Sequence, residues 1–335
     1  MDVKSFILVA AASLGFAIPV ANAQDDEEVA AQSVQARGPV KPWKFVRGLG
    51  RVLDLSHPPV VIDEPGLYAI QRNWQFPQAT TQVVTEPITI TADNVVLNLH
   101  GFGISVDRVS APPLVTLITI TGSAEIYNGR LEACCEGAIA VKGGDFTQLH
   151  HLSIYSFEPM GLGTFATISD SDIYARSAVW LASHSNLERN AIGCSFICVE
   201  IEGDTNRVTD NRILPNRSAG VGIKGNGNIV ANNVMLAVEI EQLEPGFEVF
   251  GNHNVLRNNT VLVGGPGVGT VWEISGTGNT LEGNIAAPHD AESRAGTGIR
   301  FLADGNYYGD NRMAAEVPFA LSGTVQIDWG DNVGY

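Results

Sequence analysis

Cysteine is scarce in this chain of 335 residues, with only four, and charged residues make up only 17%. Four cysteines are too few for a disulfide-stapled scaffold. Cys134-Cys135 followed far downstream by Cys194-x3-Cys198 also lacks the spacing of a zinc site. Basic residues are outnumbered, 20 Lys and Arg against 36 Asp and Glu, which leaves a formal net charge of −16. A nucleic-acid partner is excluded on that ground, because phosphate binding needs a basic surface. Seven histidines and four methionines, without clusters, argue against a carrier of soft metals. Beyond the first two dozen residues no apolar run is long enough to span a membrane.

What the chain does have is a repeated phrase built on asparagine. It reads Asn206-Arg-Val-Thr-Asp-Asn211, then Asn228 to Asn233, Asn254 to Asn259, Asn279 to Asn284 and Asn306 to Asn311. The starts lie 22, 26, 25 and 27 residues apart, within the period range of solenoids. The frame extends backward through Ser185 to Asn190 and Ala166 to Ser171, and then through the apolar pairs Leu149 with Ile154, Ile126 with Leu131, and Leu99 with Ile104. Between phrases lie short alternating runs such as AVWLAS, CVEIEG, GVGIKG and VWEISG, which read as strands. A coil of this length is too short for a propeller blade, and the ladder of a leucine-rich repeat is missing. Asparagine suits the bends because it tolerates left-handed backbone and its amide bonds to the coils above and below. About ten coils, stacked at roughly 4.8 Å, make a rod of about 45 to 50 Å.

VVIDEPGLYAI (60 to 70), EPITITADNVVLNLHGFGIS (86 to 105) and the asparagine turns together resemble the right-handed parallel β-helix proteins of the pectin-lyase-like superfamily. The resemblance covers residues 60 to 312. It implies an all-β fold, one single-stranded right-handed parallel β-helix with terminal caps. That superfamily contains pectate and alginate lyases, hydrolases, epimerases and noncatalytic proteins, so fold alone does not choose a function.

The expected layout follows. Residues 1 to 23 form an export signal, with Lys4, an apolar stretch from Ser5 to Val20, and Ala21-Asn22-Ala23 before a cleavage point after Ala23. The product is therefore expected in a periplasm or outside the cell. Residues 24 to 40 form a flexible acidic leader. Residues 41 to 59 form an N-terminal cap, with Phe45, Val46, Leu49, Val52 and Leu53 near helical spacing beside Lys44, Arg47 and Arg51. Residues 60 to 312 form the helix, and 313 to 335 cover the far end. A monomer without a membrane span in its mature form is expected.

The repeat frame places Cys134 and Cys194 three coils apart, too far to bridge. Cys194 and Cys198 are expected to pair locally, the alternative being buried thiols. Three other motifs carry little. Gly220-x-Gly222-x-x-Gly225 stands between strands with no helix to follow, as a dinucleotide fingerprint requires. Ala287-Pro-His-Asp290 matches the Asp-Pro-His-Asp motif of alginate epimerases only in part, and the polygalacturonase set is incomplete. His150-His151 suits a metal by residue type, but adjacent strand residues point to opposite faces, which predicts one buried ring and one exposed.

Strand alternation also sorts the side chains before each asparagine phrase. Val199 with Ile201, Val221 with Ile223, Phe247 with Val249, Trp272 with Ile274 and Ile299 with Phe301 should point inward. Lys142, Trp180, Glu200, Glu202, Lys224, Glu248, Glu273 and Arg300 should point outward. An aromatic ring among acids and bases suits a glycan. The concrete expectation is a lyase or epimerase acting on uronic-acid polysaccharide. Lys224, with a lowered pKa, would be the base, assisted by Arg300 and Glu273. Trp180, Lys142 and Glu248 would bind substrate, and Glu200, Glu202 and Asp204 would hold Ca²⁺. The alternative is a noncatalytic glycan-binding or structural protein of the cell envelope, its charged row an ordinary solvated face.

Overall fold

The computed structural model describes residues 43–46, 50–76, 85–106, 115–176, 179–216, 219–237, 245–264, 266–289, 293–322 and 325–335. The export signal, the acidic leader, and Arg47 and Leu49 of the basic segment lie outside the described residues. All regular elements among those residues are β-strands.

The strands stack in parallel as a three-faced solenoid. In each coil a strand of the leading face comes first, as in Val199–Ile201, Val221–Ile223 and Phe247–Val249. A bend then leads to the second face, as in Arg207–Thr209 and Ile229–Ala231. A second bend leads to the third face, as in Arg212–Pro215 and Val234–Ala237. The leading face consists of a four-stranded and an eight-stranded sheet. The backbone bond from Gly143 N–H to Gly161 O joins them, so the ladder is continuous.

All three faces contribute inward columns to a single core. On the third face Ile104, Leu131, Ile154, Ile173, Ile192 and Ile213 lie in register and are buried. The inward pairs expected on the leading face, from Val199 with Ile201 to Ile299 with Phe301, are buried as well. Along the later coils, coil length and side-chain size rise together. Where the interval between ladder residues grows from 19 to 25 or more, the leading face fills the wider section with Phe247, Trp272 and Phe301. Phe247 and Trp272 stack with centroids 5.7 Å apart.

Two buried amide columns hold the bends. Asn206, Asn228, Asn254, Asn279 and Asn306 line the first bend, and Asn190, Asn211, Asn233, Asn259, Asn284 and Asn311 line the second, all 3% exposed or less. Each carbonyl oxygen accepts the backbone N–H of the ladder residue one coil earlier, for example Asn211 N–H to Asn233 Oδ1 at 3.0 Å, the donor being Ser185 for Asn206 and Ser171 for Asn190. Most of the amide nitrogens bond forward in the same way, Asn254 Nδ2 being a buried exception without a partner, and in the second column they also reach a strand carbonyl such as Val208 O, 2.8 Å from Asn233 Nδ2. The left-handed backbone, however, belongs to the residue just before each ladder asparagine. It falls on Asp210, Asn232, Asn258 and Asp310 in one bend and on Thr205, Gly227, His253 and Gly278 in the other. The ladder residues are selected for their amides rather than for their φ. At the first bend Gly225, Gly251 and Gly276 are required, because a Cβ there would overlap the carbonyl of the glycine one coil earlier.

The chain start differs from expectation. Trp43–Val46 and Gly50–Leu53 form an antiparallel pair instead of an amphipathic helix, and Gly50–Leu53 joins the second face beside Gly66–Ala69. Gly50 has a φ of 77°, which breaks a helix but suits the turn into this pair. At the other end Ala315–Leu321, Ile327–Asp328 and Val333–Gly334 continue all three faces as a further rung.

The amide columns predict a sharp contrast between neighbours. Asn233→Ala strands several buried donors and acceptors and should lower unfolding free energy by about 3 kcal/mol or more. Asn232→Ala, on exposed left-handed backbone, should cost only about 1 kcal/mol. Urea unfolding of both variants distinguishes the two, and equal losses would contradict the ladder assignment.

Candidate functional site

Register on the leading face fixes one outward column: Lys142, Gly161, Trp180, Glu200, Gly222, Glu248, Glu273, Arg300 and Ala320. Glu202 and Lys224 belong to the next outward column, two residues further along their strands. Trp180 is 40% exposed, whereas Glu200 on the following coil is only 9% exposed. The Lys224 side chain leans back across the strand so that its ammonium contacts Glu200 and lies 3.7 Å from Glu202. Further along, Arg300 Nη1 donates to Glu273 at 3.4 Å.

Two glycines open this column; the sequence does not mark Gly161, and it marks Gly222 only within the dismissed dinucleotide fingerprint. A Cβ at Gly161 would meet nothing within 4 Å, and one at Gly222 would meet only Ile197 Cγ2, at 4.0 Å. Trp180 and Glu200 therefore stand between two positions with no side chain. The loop leading onto this face is closed by a disulfide between Cys194 and Cys198, and it presents Phe196, 48% exposed. Arg176 lies over both Phe157 and Phe196, its Cζ 4.7 and 5.6 Å from the ring centroids. The bend leaving the face carries Phe146, Phe165 and His184, stacked at 5.1 and 4.9 Å. All three have φ near 60°, a strained choice for bulky residues, and both phenylalanines are about half exposed. Their only signal in the sequence is recurrence at the position before the ladder residue.

Several expected roles do not survive this geometry. Lys224 cannot serve as a base of lowered pKa, because its hydrogen bond to Glu200 pushes the ammonium pKa up, with Glu202 adding to the effect. It is a fixed cation instead. Lys224 is on the Gly222 rung, so Glu273 lies two rungs away and Arg300 three, roughly 10 and 14 Å along the axis. These three do not converge on one reacting centre and would meet different units of a chain-like ligand. The proposed Ca²⁺ set fails for a separate reason. Glu200 and Glu202 face the Lys224 ammonium, while Asp204 Oδ1 accepts the backbone N–H of Asn226 at 2.6 Å as part of the bend. Among the described residues no three His, Cys, Asp or Glu gather as metal ligands. The residues do not fit the ion.

The Lys224 pair also makes a pH prediction. A lysine pKa raised on folding adds stability below the unfolded value of 10.5, and this is lost as pH rises through the folded value. The stability gap between the wild type and Lys224→Met should therefore stay constant from about pH 7 to 10 and shrink above that range. A gap already shrinking near pH 8, measured by chemical denaturation, would show that the ammonium is not held by Glu200.

No family model matches the chain, and no curated protein matches it. Solved structures do show a similar backbone course. An alginate lyase from Paenibacillus sp. str. FPU-7 is 15% identical with a TM-score of 0.45, over 71% of this chain and 91% of that one. DFA-IIIase from Arthrobacter chlorophenolicus A6 in complex with GF2 is 15% identical with a TM-score of 0.46, over 80% and 83%. The periplasmic alginate epimerase AlgG is 9% identical with a TM-score of 0.41, over 85% and 78%. By its own strand order and register, this chain is a three-faced parallel β-helix.

Proposed function

We propose that this protein binds polysaccharide along its leading face, with Trp180 as the stacking surface and the Lys224–Glu200 pair as the polar anchor. The observation that carries this reading is the exposed indole beside a largely buried carboxylate, set between the side-chain-free positions Gly161 and Gly222. A sugar ring has an apolar face that suits an indole, and its hydroxyl groups suit an ion pair that offers both donors and acceptors. Rungs repeat about every 4.8 Å, so successive units of a chain would meet successive members of the column, including Lys142, Glu248, Glu273 and Arg300. Lys142, Lys224 and Arg300 give the face cations for uronic acid units even though the chain as a whole is acidic.

Catalysis by elimination is a second reading, favoured by the contact between the Glu200 carboxylate and the Lys224 ammonium. In that reaction Glu200 takes the C5 proton of a uronate, whose carboxylate the Lys224 ammonium neutralises. The C5–H electron pair forms the C4–C5 double bond, and the glycosidic oxygen leaves with a proton from Lys224 or water. We also place the protein outside the cytoplasm as a monomer. The apolar segment ending in Ala21-Asn22-Ala23 supports export, as does the Cys194–Cys198 disulfide, a bond that persists in oxidising compartments.

Retardation of the purified mature chain in gels containing alginate, pectate or a glycosaminoglycan measures binding. The wild type should be slowed by at least one of them, and Trp180→Ala should weaken that interaction about tenfold. Absorbance of unsaturated uronate in the same mixtures separates the two readings. Product that disappears in Glu200→Gln establishes the lyase, and binding without product establishes the noncatalytic protein. No retardation by any of these polymers would overturn the glycan assignment.

A further inference from the structure

His150 and His151 lie on the second face, away from Trp180, and they do not take opposite sides of the strand. Leu149 and Leu152 are buried, while His150 is half-buried and His151 exposed. The reason is local: His151 has a φ of 53°, at the second bend, where the chain leaves its extended path. It occupies the same left-handed position as Asn128 on the preceding coil and Asp170 on the next. Both rings consequently reach the outer surface, and their Nδ1 atoms converge to 2.9 Å.

The rest of the neighbourhood orients one of these nitrogens. His150 Nε2 is 2.9 Å from Glu125 Oε1, one coil earlier. The carboxylate fixes the tautomer by accepting an Nε2–H bond, which makes His150 Nδ1 the acceptor of the hydrogen bond from His151 Nδ1–H. Tyr127 stacks on the His150 ring with centroids 5.0 Å apart and planes 12° from parallel, and its hydroxyl accepts a bond from Asn98 Nδ2 at 3.0 Å. His151 meets His150 edge-on, at 82°. With bonds of about 2.0 to 2.1 Å, the 2.9 Å separation of the two Nδ1 atoms corresponds to a ligand–ion–ligand angle of about 90°, the cis angle of square-planar and octahedral sites, so an ion would take the place of the proton that the two nitrogens share. A carboxylate behind a ligating histidine is the arrangement that orients such ligands and raises their basicity.

We propose that His150 and His151 form a two-imidazole chelate for a divalent ion of the nickel and copper type, with Glu125 as the positioning carboxylate. Asp170, the next residue in the bend column, is held through both oxygens by Arg189 at 2.8 and 2.9 Å and is not counted as a ligand. Water would fill the remaining positions. Imidazole donors select this class of ion over calcium and magnesium, which take oxygen ligands. The site is independent of the glycan reading, since none of its residues belongs to the leading face.

Calorimetric titration of the untagged mature chain with Ni²⁺ and with Cu²⁺ tests the proposal, with copper electron paramagnetic resonance reporting nitrogen coordination. One tight site is expected. His151→Asn keeps a residue that tolerates left-handed backbone, so it should fold, and it should weaken binding at least tenfold. His150→Gln should do the same. Glu125→Ala should weaken binding about tenfold while leaving nitrogen hyperfine coupling in place. His184→Ala and His253→Ala should change nothing. The proposal is overturned if the wild type binds neither ion more tightly than the His150→Gln/His151→Asn double variant, or if the His184 and His253 variants lose as much. A loss of binding accompanied by a lowered melting temperature in His150→Gln leaves the decision to His151→Asn and Glu125→Ala.

Discussion

The constraint on which the structure depends is the need to satisfy backbone N–H groups at two bends in every coil. Strands pair with strands along the faces, but each bend brings a buried amide to the coil below, with no strand to meet it. An asparagine side chain supplies an acceptor there and passes its own donors onward, so each coil completes its neighbour. Buried groups left unpaired would each cost about 1 to 3 kcal/mol. The asparagine columns therefore fix where each coil bends. Those bends in turn keep the leading face in register, which aligns Trp180, Glu200 and Gly222 on successive rungs.

Much of this was legible in the sequence because the repeat acts as a ruler. Once Asn206, Asn228 and Asn254 are aligned, alternation assigns Val221 and Ile223 to the core and Glu248 and Glu273 to the surface. The ruler fails where the backbone leaves the strand. His151 follows His150 directly, yet a positive φ turns it to the same side, and alternation has no means of registering that bend. The start of the chain misleads for a related reason. Residues 45 to 53 show apolar spacing that fits a helix, but Gly50 in a left-handed conformation turns the chain into paired strands.

The electrostatic roles were the least legible part. Lys224, Glu200 and Glu202 were all identified as outward, and they are. What decides their chemistry is that Lys224 reaches back over Gly222, where no side chain blocks it, and contacts a carboxylate that is mostly shielded from water. On the other side of the pair, Gly161 opens the floor beside Trp180. Gly222 enters a motif search only through a fingerprint that its context rules out, and Gly161 through none, so the absence of bulk at both is visible only once the register is known. The bend aromatics Phe146 and Phe165 were missed because their φ values run against residue preference.

The central claim is that a saccharide lies across Trp180 with its polar groups on the Lys224–Glu200 pair. The most direct measurement is a crystal structure of the mature chain with an oligosaccharide of whichever polymer retards it. The account predicts a pyranose ring stacked on the Trp180 indole, within hydrogen-bond reach of Lys224 Nζ, and continuing over Gly161 or Gly222. A sugar bound on the second or third face, with Trp180 left bare, would contradict it.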